Sequence, residues 1–311
     1  MKRTTTHLIN EIYKAFYRIT HSKRYKHNRK RWPHVKITRG EHGDITFFNY
    51  KGKPFPIVPL SILKGQFDKK ILLVASGPSV NEIPFIKEKN PPAMGVNGAY
   101  SIKDKVDFSF YIITDINFFD QRPEIIKNII SDKEILLFLQ PDGLVNIIEK
   151  FGLDTISCKV ALIEDAYKRT YEPKFSIEEI KNNNQRSKSI YFYDKKDESE
   201  EDIAFEKNIS NGVFPGKTVV YWALQVIIYM GFKDIYIAGL DMNNFDKPRF
   251  YESEKDKVYS QLEMNFEKNI LPSFIHMSDI ANKNKIRITN LSMNSAIPEK
   301  VFKKADYIST L

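Results

Sequence analysis

Ile71-Leu72-Leu73-Val74-Ala75 is the stretch that most limits how this chain can fold: five apolar residues in a row, opened by Lys69-Lys70 and closed by Ser76-Gly77-Pro78-Ser79. A short unbroken apolar run reads as a strand buried on both faces, and such strands belong to parallel sheets covered by helices. In open α/β sheets ligands lie outside the carboxyl ends of the strands, so a turn of hydroxyls and exposed amides can hold a phosphate or a nucleotide. An ordinary strand-to-turn corner has the same composition. The rest of the chain decides between the two.

The pattern returns. Ala93-Met94-Gly95-Val96 ends in Asn97-Gly98, and the run from Asp107 to Ile113 ends in Thr114-Asp115. Three successive strand tips thus carry small polar residues, which favours a ligand-binding crevice. Between and after them the pattern predicts a short helix over Asn81–Lys89, a helix over Pro123–Ser131 and a strand over Glu134–Leu139. Further on come a long apolar helix over Val219–Met230 capped by Thr218, a strand from Lys233 that ends in Gly239-Leu240-Asp241, helical residues 258–283, and a last strand over Lys285–Asn290 before Pro298. The fold class expected is α/β: a mostly parallel, Rossmann-like sheet flanked by helices, spanning residues 61–311. Residues 142–210 read as an insertion, either a lid or a plain solvated loop, with a charged run from Asp194 to Asp202.

Residues 1–60 read as an extension. Leu8, Ile9, Ile12, Phe16 and Ile19 recur at helical spacing with Thr6 as cap, and Val35–Ile37 and Asp44–Tyr50 suggest a hairpin ahead of a Pro54, Pro56, Pro59 linker. Residues 1–39 hold twelve Lys and Arg against the single acid Glu11, leaving 36 cations and 38 acids in the remainder of a chain whose net charge is +9. The basic character therefore belongs to the arm, and the body does not have the look of a nucleic-acid binder. Three readings compete for the arm: a docking helix with a solvated basic tail, attachment to an anionic membrane, or nucleic-acid contact. Each cation near an acidic leaflet contributes ~1 kcal/mol, enough for a cluster to hold an enzyme at a lipid surface; the expected partner is the anionic inner-membrane face, not nucleic acid.

A chain of 311 residues with 42% apolar content can bury a large core, and no stretch approaches a membrane span. The lone Cys158 excludes an internal disulfide and a cysteine-ligated zinc site. With no secretory pattern visible, the expected location is cytoplasmic, peripheral on the inner membrane. Gly216-Lys217-Thr218 has the look of a phosphate loop, but Asn211 replaces the glycine required ahead of it, Gly212 is at the wrong offset, and no strand leads in. A nucleotide triphosphatase is rejected. The amides that start the helix after Thr218 can still face a phosphate.

In order along the chain stand Ala75-Ser76-Gly77-Pro78-Ser79, Val96-Asn97-Gly98, Thr114-Asp115 with Phe118, Phe119, Gln121 and Arg122, then Lys217-Thr218 with Gln225. Gly239-Leu240-Asp241, Arg249-Phe250-Tyr251 and Asn290-Leu291-Ser292 with Ala296-Ile297 complete the set. Between residues 70 and 298 this set resembles the lipopolysaccharide-core Kdo transferases of the WaaZ/RfaZ type and, more distantly, the bacterial sialyltransferases of glycosyltransferase family 42. The resemblance implies a family 42-like, GT-A-like variant of the fold. It implies transfer of Kdo (3-deoxy-D-manno-oct-2-ulosonic acid) from a CMP-activated donor to a lipid-linked inner-core sugar.

Carried over by position, Ser76, Gly77, Pro78, Ser79 and Asn97 hold the cytidine and ribose, and Thr218 with Tyr251 and Arg249 holds the phosphate. Gly98, Thr114 and Lys217 belong to the same donor-binding set. Asp115 and Asp241, each at a strand end, are the candidates for the base that takes the acceptor proton, with Asp115 favoured. The sialyltransferases use a histidine after the last long helix; His276 is near but in a different local pattern. No Asp-x-Asp pair stands at a strand end, and a donor with one phosphate can be neutralised by amides, hydroxyls and an arginine, so an inverting transfer with no obligatory metal and no cofactor beyond the donor is expected. The alternatives are a sialyltransferase or other CMP-nonulosonate transferase, and a non-enzymatic membrane- or nucleic-acid-binding adaptor.

Overall fold

The apolar runs do pair as parallel strands. The computed structural model describes residues 2–194, 199 and 202–310. It opens with helix α1 (Lys2–Thr20) and an antiparallel sheet of β1 (Val35–Arg39), β2 (Ile45–Tyr50) and β3 (Lys53–Phe55). Next come β4 (Lys70–Val74), β5 (Ala93–Val96), β6 (Phe108–Ile113), helices α2 (Phe118–Gln121) and α3 (Pro123–Ser131), β7 (Leu136–Leu139), α4 (Pro141–Phe151) and β8 (Lys159–Leu162). Two short helices, α5 (Ile177–Lys181) and α6 (Asn184–Ser187), precede a small antiparallel pair, β9 (Ile190–Phe192) and β10 (Ala204–Glu206). Then follow α7 (Val219–Met230), β11 (Asp234–Ala238), α8 (Leu262–Asn265), α9 (Leu271–Lys283), β12 (Arg287–Asn290) and β13 (Lys303–Lys304).

The main sheet has eight parallel strands in the order β13-β12-β11-β4-β5-β6-β7-β8. From β4 the chain winds outward to β8, returns past β4 and winds outward again to β13. This is a doubly wound sheet, and its switch point, the place where such sheets bind ligands, lies between β4 and β11. Ile71 and Leu73 pack into the core on the side of α7 and α9, whereas Leu72 and Val74 pack with α3 and α4 on the other. Because both faces are apolar, alternation cannot set the register of β4. Its ladder to β11 continues past the strand ends instead, with Ala75 N donating to Ala238 O (2.8 Å) and Gly77 N to Gly239 O (3.0 Å).

Helix α7 is buried almost all round, which suits an inner helix rather than an amphipathic one. Thr218 caps it, accepting from Val220 N, and Gly231 ends it at φ 107°, where a Cβ would meet Phe67 O at 2.3 Å. Gln225, in the middle of α7, is fully buried; its amide donates to Phe214 O and Tyr221 O and accepts from Phe214 N and Glu206 N. It clips the 204–214 segment to the helix.

The structure corrects several expectations. Asn81–Lys89 is not a helix but two 3-10 turns, Pro78–Glu82 and Lys87–Lys89. Pro84 lacks an N–H and forces Ile83 into extended backbone, so no α-helix can run through. The supposed insertion at 142–210 is narrower, since α4 and β8 within it belong to the main layers; only the part beyond β8, with α5, α6, β9 and β10, stands outside them. Of its charged run, residues 195–198, 200 and 201 lie outside the described residues. Thr6 lies inside α1 rather than capping it, and Lys53–Phe55 is a strand rather than part of a linker. Regular helix resumes only at Leu262, and the sheet extends past Pro298 to β13.

The basic arm is not a loose tail. Tyr17 is buried and, with Tyr13 and Phe16, packs its ring against Trp32. Arg31 grips Asp142 of α4 through two bonds of 2.6 and 2.8 Å, and Arg39 grips the buried Glu164 the same way at 2.5 and 3.1 Å. Among the described residues no helix is long and apolar enough to cross a membrane.

Candidate functional site

The tips of β4, β5, β6 and β11, the start of α7 and the loop after β11 enclose one cavity of about 690 Å³. Eleven of the thirteen residues singled out in the sequence line it: Ser76, Gly77, Pro78, Asn97, Thr114, Asp115, Lys217, Thr218, Asp241, Arg249 and Tyr251. Ser79 and Gly98 stand behind its wall. Their positions follow from what they hold.

Ser79 braces the switch point. Its N–H donates to Asp241 Oδ2 at 2.9 Å, its hydroxyl donates to Asp241 Oδ1, and that hydroxyl also meets Ser292 Oγ at 2.8 Å. Both carboxylate oxygens of Asp241 are thereby engaged, which ties the β4 loop to the β11 loop. Gly77 makes this approach possible, since a Cβ there would lie 2.4 Å from Asp241 Oδ2 and 2.6 Å from Gly239 O. Asp241, which its strand-end position put forward as a base, is therefore a satisfied brace.

Asn97 occupies the left-handed region at φ 47°. Tyr111 holds it there, donating its hydroxyl to Asn97 O (2.6 Å) while accepting from Tyr100 N (2.8 Å). Among the described residues the buried Oδ1 of Asn97 has no hydrogen-bond partner, while the buried Oγ of Ser76 meets the Tyr251 hydroxyl. Buried polar atoms are nearly always paired, so Asn97 Oδ1 offers the cavity a free acceptor.

Tyr251 rests on Gly98, where any Cβ would come within 2.3 Å of its ring, and edges against Phe250 and Phe118. Burial, opposed by the nearby Arg249 charge, pushes its hydroxyl up to about 12, so it faces the cavity as a neutral proton donor. Arg249 is pinned: Nη1 meets Glu252 Oε1 at 2.7 Å and its backbone N donates to Oε2 at 3.1 Å. The Glu252 side chain is only 2% exposed and also faces Arg122 at 3.5 Å. Arg122 and Glu252 both line the cavity, and neither was singled out for a role in the sequence; they are 130 residues apart, and no local pattern joins them.

Asp115 is exposed at the tip of β6, with Oδ1 accepting from Asn117 N at 2.9 Å. Thr218 and Lys217, the latter at φ 56°, open α7 at the cavity edge. His276 is elsewhere: it is buried in α9, its Nε2 lies 2.9 Å from Tyr191 O, and burial lowers its pKa, which is the behaviour of a structural imidazole.

Residues 60–308 match the family model described as 3-deoxy-D-manno-octulosonic acid transferase WaaZ. The chain belongs to the WaaZ family. This WaaZ-family chain is accordingly a glycosyltransferase of the Kdo transferase type, and its residues 1–59 lie outside the match. A protein of Salmonella typhimurium described as a probable 3-deoxy-manno-octulosonic acid transferase is 25% identical over 245 residues, covering 76% of this chain and 87% of that protein. A protein of the same description from Escherichia coli K12 is 25% identical over 242 residues, covering 76% and 82%. Among solved structures, the sialyltransferase CstII from Campylobacter jejuni in complex with cytidine-5'-monophosphate aligns over 76% of this chain and 85% of its own, at 15% identity and a TM-score of 0.42. The CstII complex with CMP-3FNeuAc aligns over 77% and 86%, at 15% identity and a TM-score of 0.41.

Proposed function

We propose that this chain transfers Kdo from CMP-Kdo to a sugar of the lipopolysaccharide inner core, with inversion and without a metal. The observation that carries the reading is the unpartnered Asn97 Oδ1, buried together with the paired Ser76 and Tyr251 hydroxyls in the cavity at the switch point. They suit the hydroxyls and ring nitrogens of a nucleoside. The start of α7 with Thr218 and Lys217, and the neutral Tyr251 phenol beside Ser76, suit a single phosphate, since helix amides and hydroxyls aimed at a leaving group stabilise the charge it gains.

In the transfer, an acceptor hydroxyl oxygen forms a bond to the anomeric carbon of Kdo as the bond from that carbon to the phosphate oxygen breaks. The electron pair leaves with CMP, and the hydroxyl proton goes to Asp115. A single displacement inverts the configuration at that carbon. Arg249, held by Glu252, keeps the loop that carries Tyr251 over the cavity.

The test is CMP release from CMP-Kdo and from CMP-sialic acid, each with and without EDTA. Faster consumption of CMP-Kdo, insensitive to EDTA, is the expected result; preference for CMP-sialic acid would replace the donor, and loss of turnover in EDTA would refute the metal-free mechanism.

An acceptor of this class would be met at the cytoplasmic face of the inner membrane. Supporting this, α1 leaves Ile12, Phe16 and Ile19 at 59%, 53% and 85% exposure, beside exposed Arg18, Lys23 and Lys26. Cosedimentation with anionic lipid vesicles should fall on Ile12→Ser/Ile19→Ser substitution, and unchanged binding by that variant would remove α1 from the attachment.

A further inference from the structure

A second cavity, of about 1040 Å³, adjoins the first, and Pro215 and Lys217 line both. Among the described residues five cations line it, Lys23, Arg24, Lys168, Lys174 and Lys217, with the acids Asp165, Glu179 and Asp202. Two of these acids are already partnered by Arg24 (2.7 Å from Glu179) and Lys168 (3.4 Å from Asp165). Tyr167 and Tyr193 supply an aromatic lining, while the Phe175 ring beside them carries the Arg24 and Arg186 guanidinium groups at 5.5 and 4.9 Å. Aromatic faces with cations around them suit a sugar chain that carries acidic groups, because ring faces cover the apolar side of a sugar while the cations meet phosphate or carboxylate.

The wall of this cleft is built across the chain. Lys174 N donates to Arg24 O at 2.8 Å and Arg24 Nε donates to Lys174 O at 3.1 Å, a reciprocal clasp, and the Arg24 guanidinium lies over the Phe175 ring at 5.5 Å. The basic arm, which lies outside the family match, thus forms one side of the cleft. The junction at Pro215-Gly216-Lys217 is the loop that opens α7, at the phosphate end of the donor cavity.

We infer that this cleft is the acceptor site: it takes an anionic oligosaccharide and delivers its hydroxyl past Lys217 to the donor cavity, with the N-terminal arm as a determinant of which acceptor is accepted. This rests on the transferase reading above. It gives the arm a purpose separate from membrane attachment, and it explains why the arm is fastened by Arg24, Arg31 and Arg39 rather than left free.

The test uses the full chain, CMP, and two probes: the deacylated, phosphorylated lipopolysaccharide inner core, and the same oligosaccharide after phosphatase treatment. Titration calorimetry should show tighter binding of the phosphorylated probe. Lys168→Gln/Lys174→Gln should reduce that preference about tenfold, the scale of losing charge-assisted bonds to an acid group, with CMP affinity unchanged. An unchanged preference in the variant, or no binding of either probe to the wild type, would overturn the assignment. Where the double variant loses CMP binding as well, Lys174→Gln alone gives the same readout, and a preference that it leaves intact overturns the assignment too. Failure of the transferase reading looks different: the wild type would then leave CMP-Kdo unconsumed whatever it binds in the cleft.

Discussion

Asp115→Asn should lower transfer by about 10²- to 10⁴-fold, the usual contribution of a positioned general base, while leaving the affinity for CMP unchanged. The substitution is chosen because it keeps the fold of the tip. Asp115 Oδ1 accepts from Asn117 N at 2.9 Å, and an asparagine oxygen can accept the same bond. Only the basic oxygen is lost. Asp241 offers a contrast, since both of its oxygens are bound to Ser79, so Asp241→Asn should disturb the joint between the β4 and β11 loops and weaken CMP binding along with transfer. Comparing kcat with CMP affinity for the two variants decides the matter. Full activity in Asp115→Asn would remove that residue from proton transfer.

Arg39→Met should be the most destabilising change in the arm, at about 3 kcal/mol, the low end for breaking a buried ion pair. Glu164, with its side chain 7% exposed, is held by Arg39 in two bonds, by Thr170 N at 2.7 Å and by Arg169 at 3.6 Å. Burial by itself would raise its pKa, but the Arg39 bonds and charge, with help from Arg169, bring it below the usual carboxylate range. A group whose folded pKa is depressed adds stability above its unfolded pKa, and that stability is lost as pH falls through the folded value. The gap in urea stability between wild type and Arg39→Met should therefore be widest near neutral pH and should narrow in acid below the ordinary glutamate value of 4.5. A gap that stays constant with pH would assign the loss to packing of the Arg39 stem instead. The change should also loosen the segment after β8 that walls the basic cleft, because Arg39 Nη2 donates to Thr170 O at 3.0 Å.

Much of the fold is legible because buried parallel strands announce themselves as short apolar runs between polar corners. β4, β5, β6, β7 and β11 have that form, β12 alternates instead as Arg287-Ile288-Thr289-Asn290, and α7 is bracketed by Thr218 and Gly231. What escaped has physical causes as well. β8 falls in a stretch whose helical patches and charged run read as an insertion, although Val160–Ile163 is apolar behind Gly152 and Ser157, and β13 is two residues of lysine paired only through the backbone. The 3-10 turns after β4 share their composition with a helix start, and only Pro84 marks the break. In the site, most of the residues expected from the strand tips line one cavity, but the contacts each makes are not legible in the sequence. Ser79 and Gly98 read as donor contacts in the sequence, yet one braces Asp241 and the other makes room for Tyr251.

A parallel sheet with small polar residues at its strand tips can be read from the order of residues alone, because periodicity and turn chemistry are local and need no partner to be read. Only the tertiary structure decided which of those tips share a cavity, that Asp241 is tied up while Asp115 is exposed, and that a cationic arm is clasped to the body beside the site. Those facts depend on contacts between residues more than a hundred positions apart, such as Ser79 with Asp241 and Arg24 with Lys174, and nothing in a local pattern encodes a distance across the sheet.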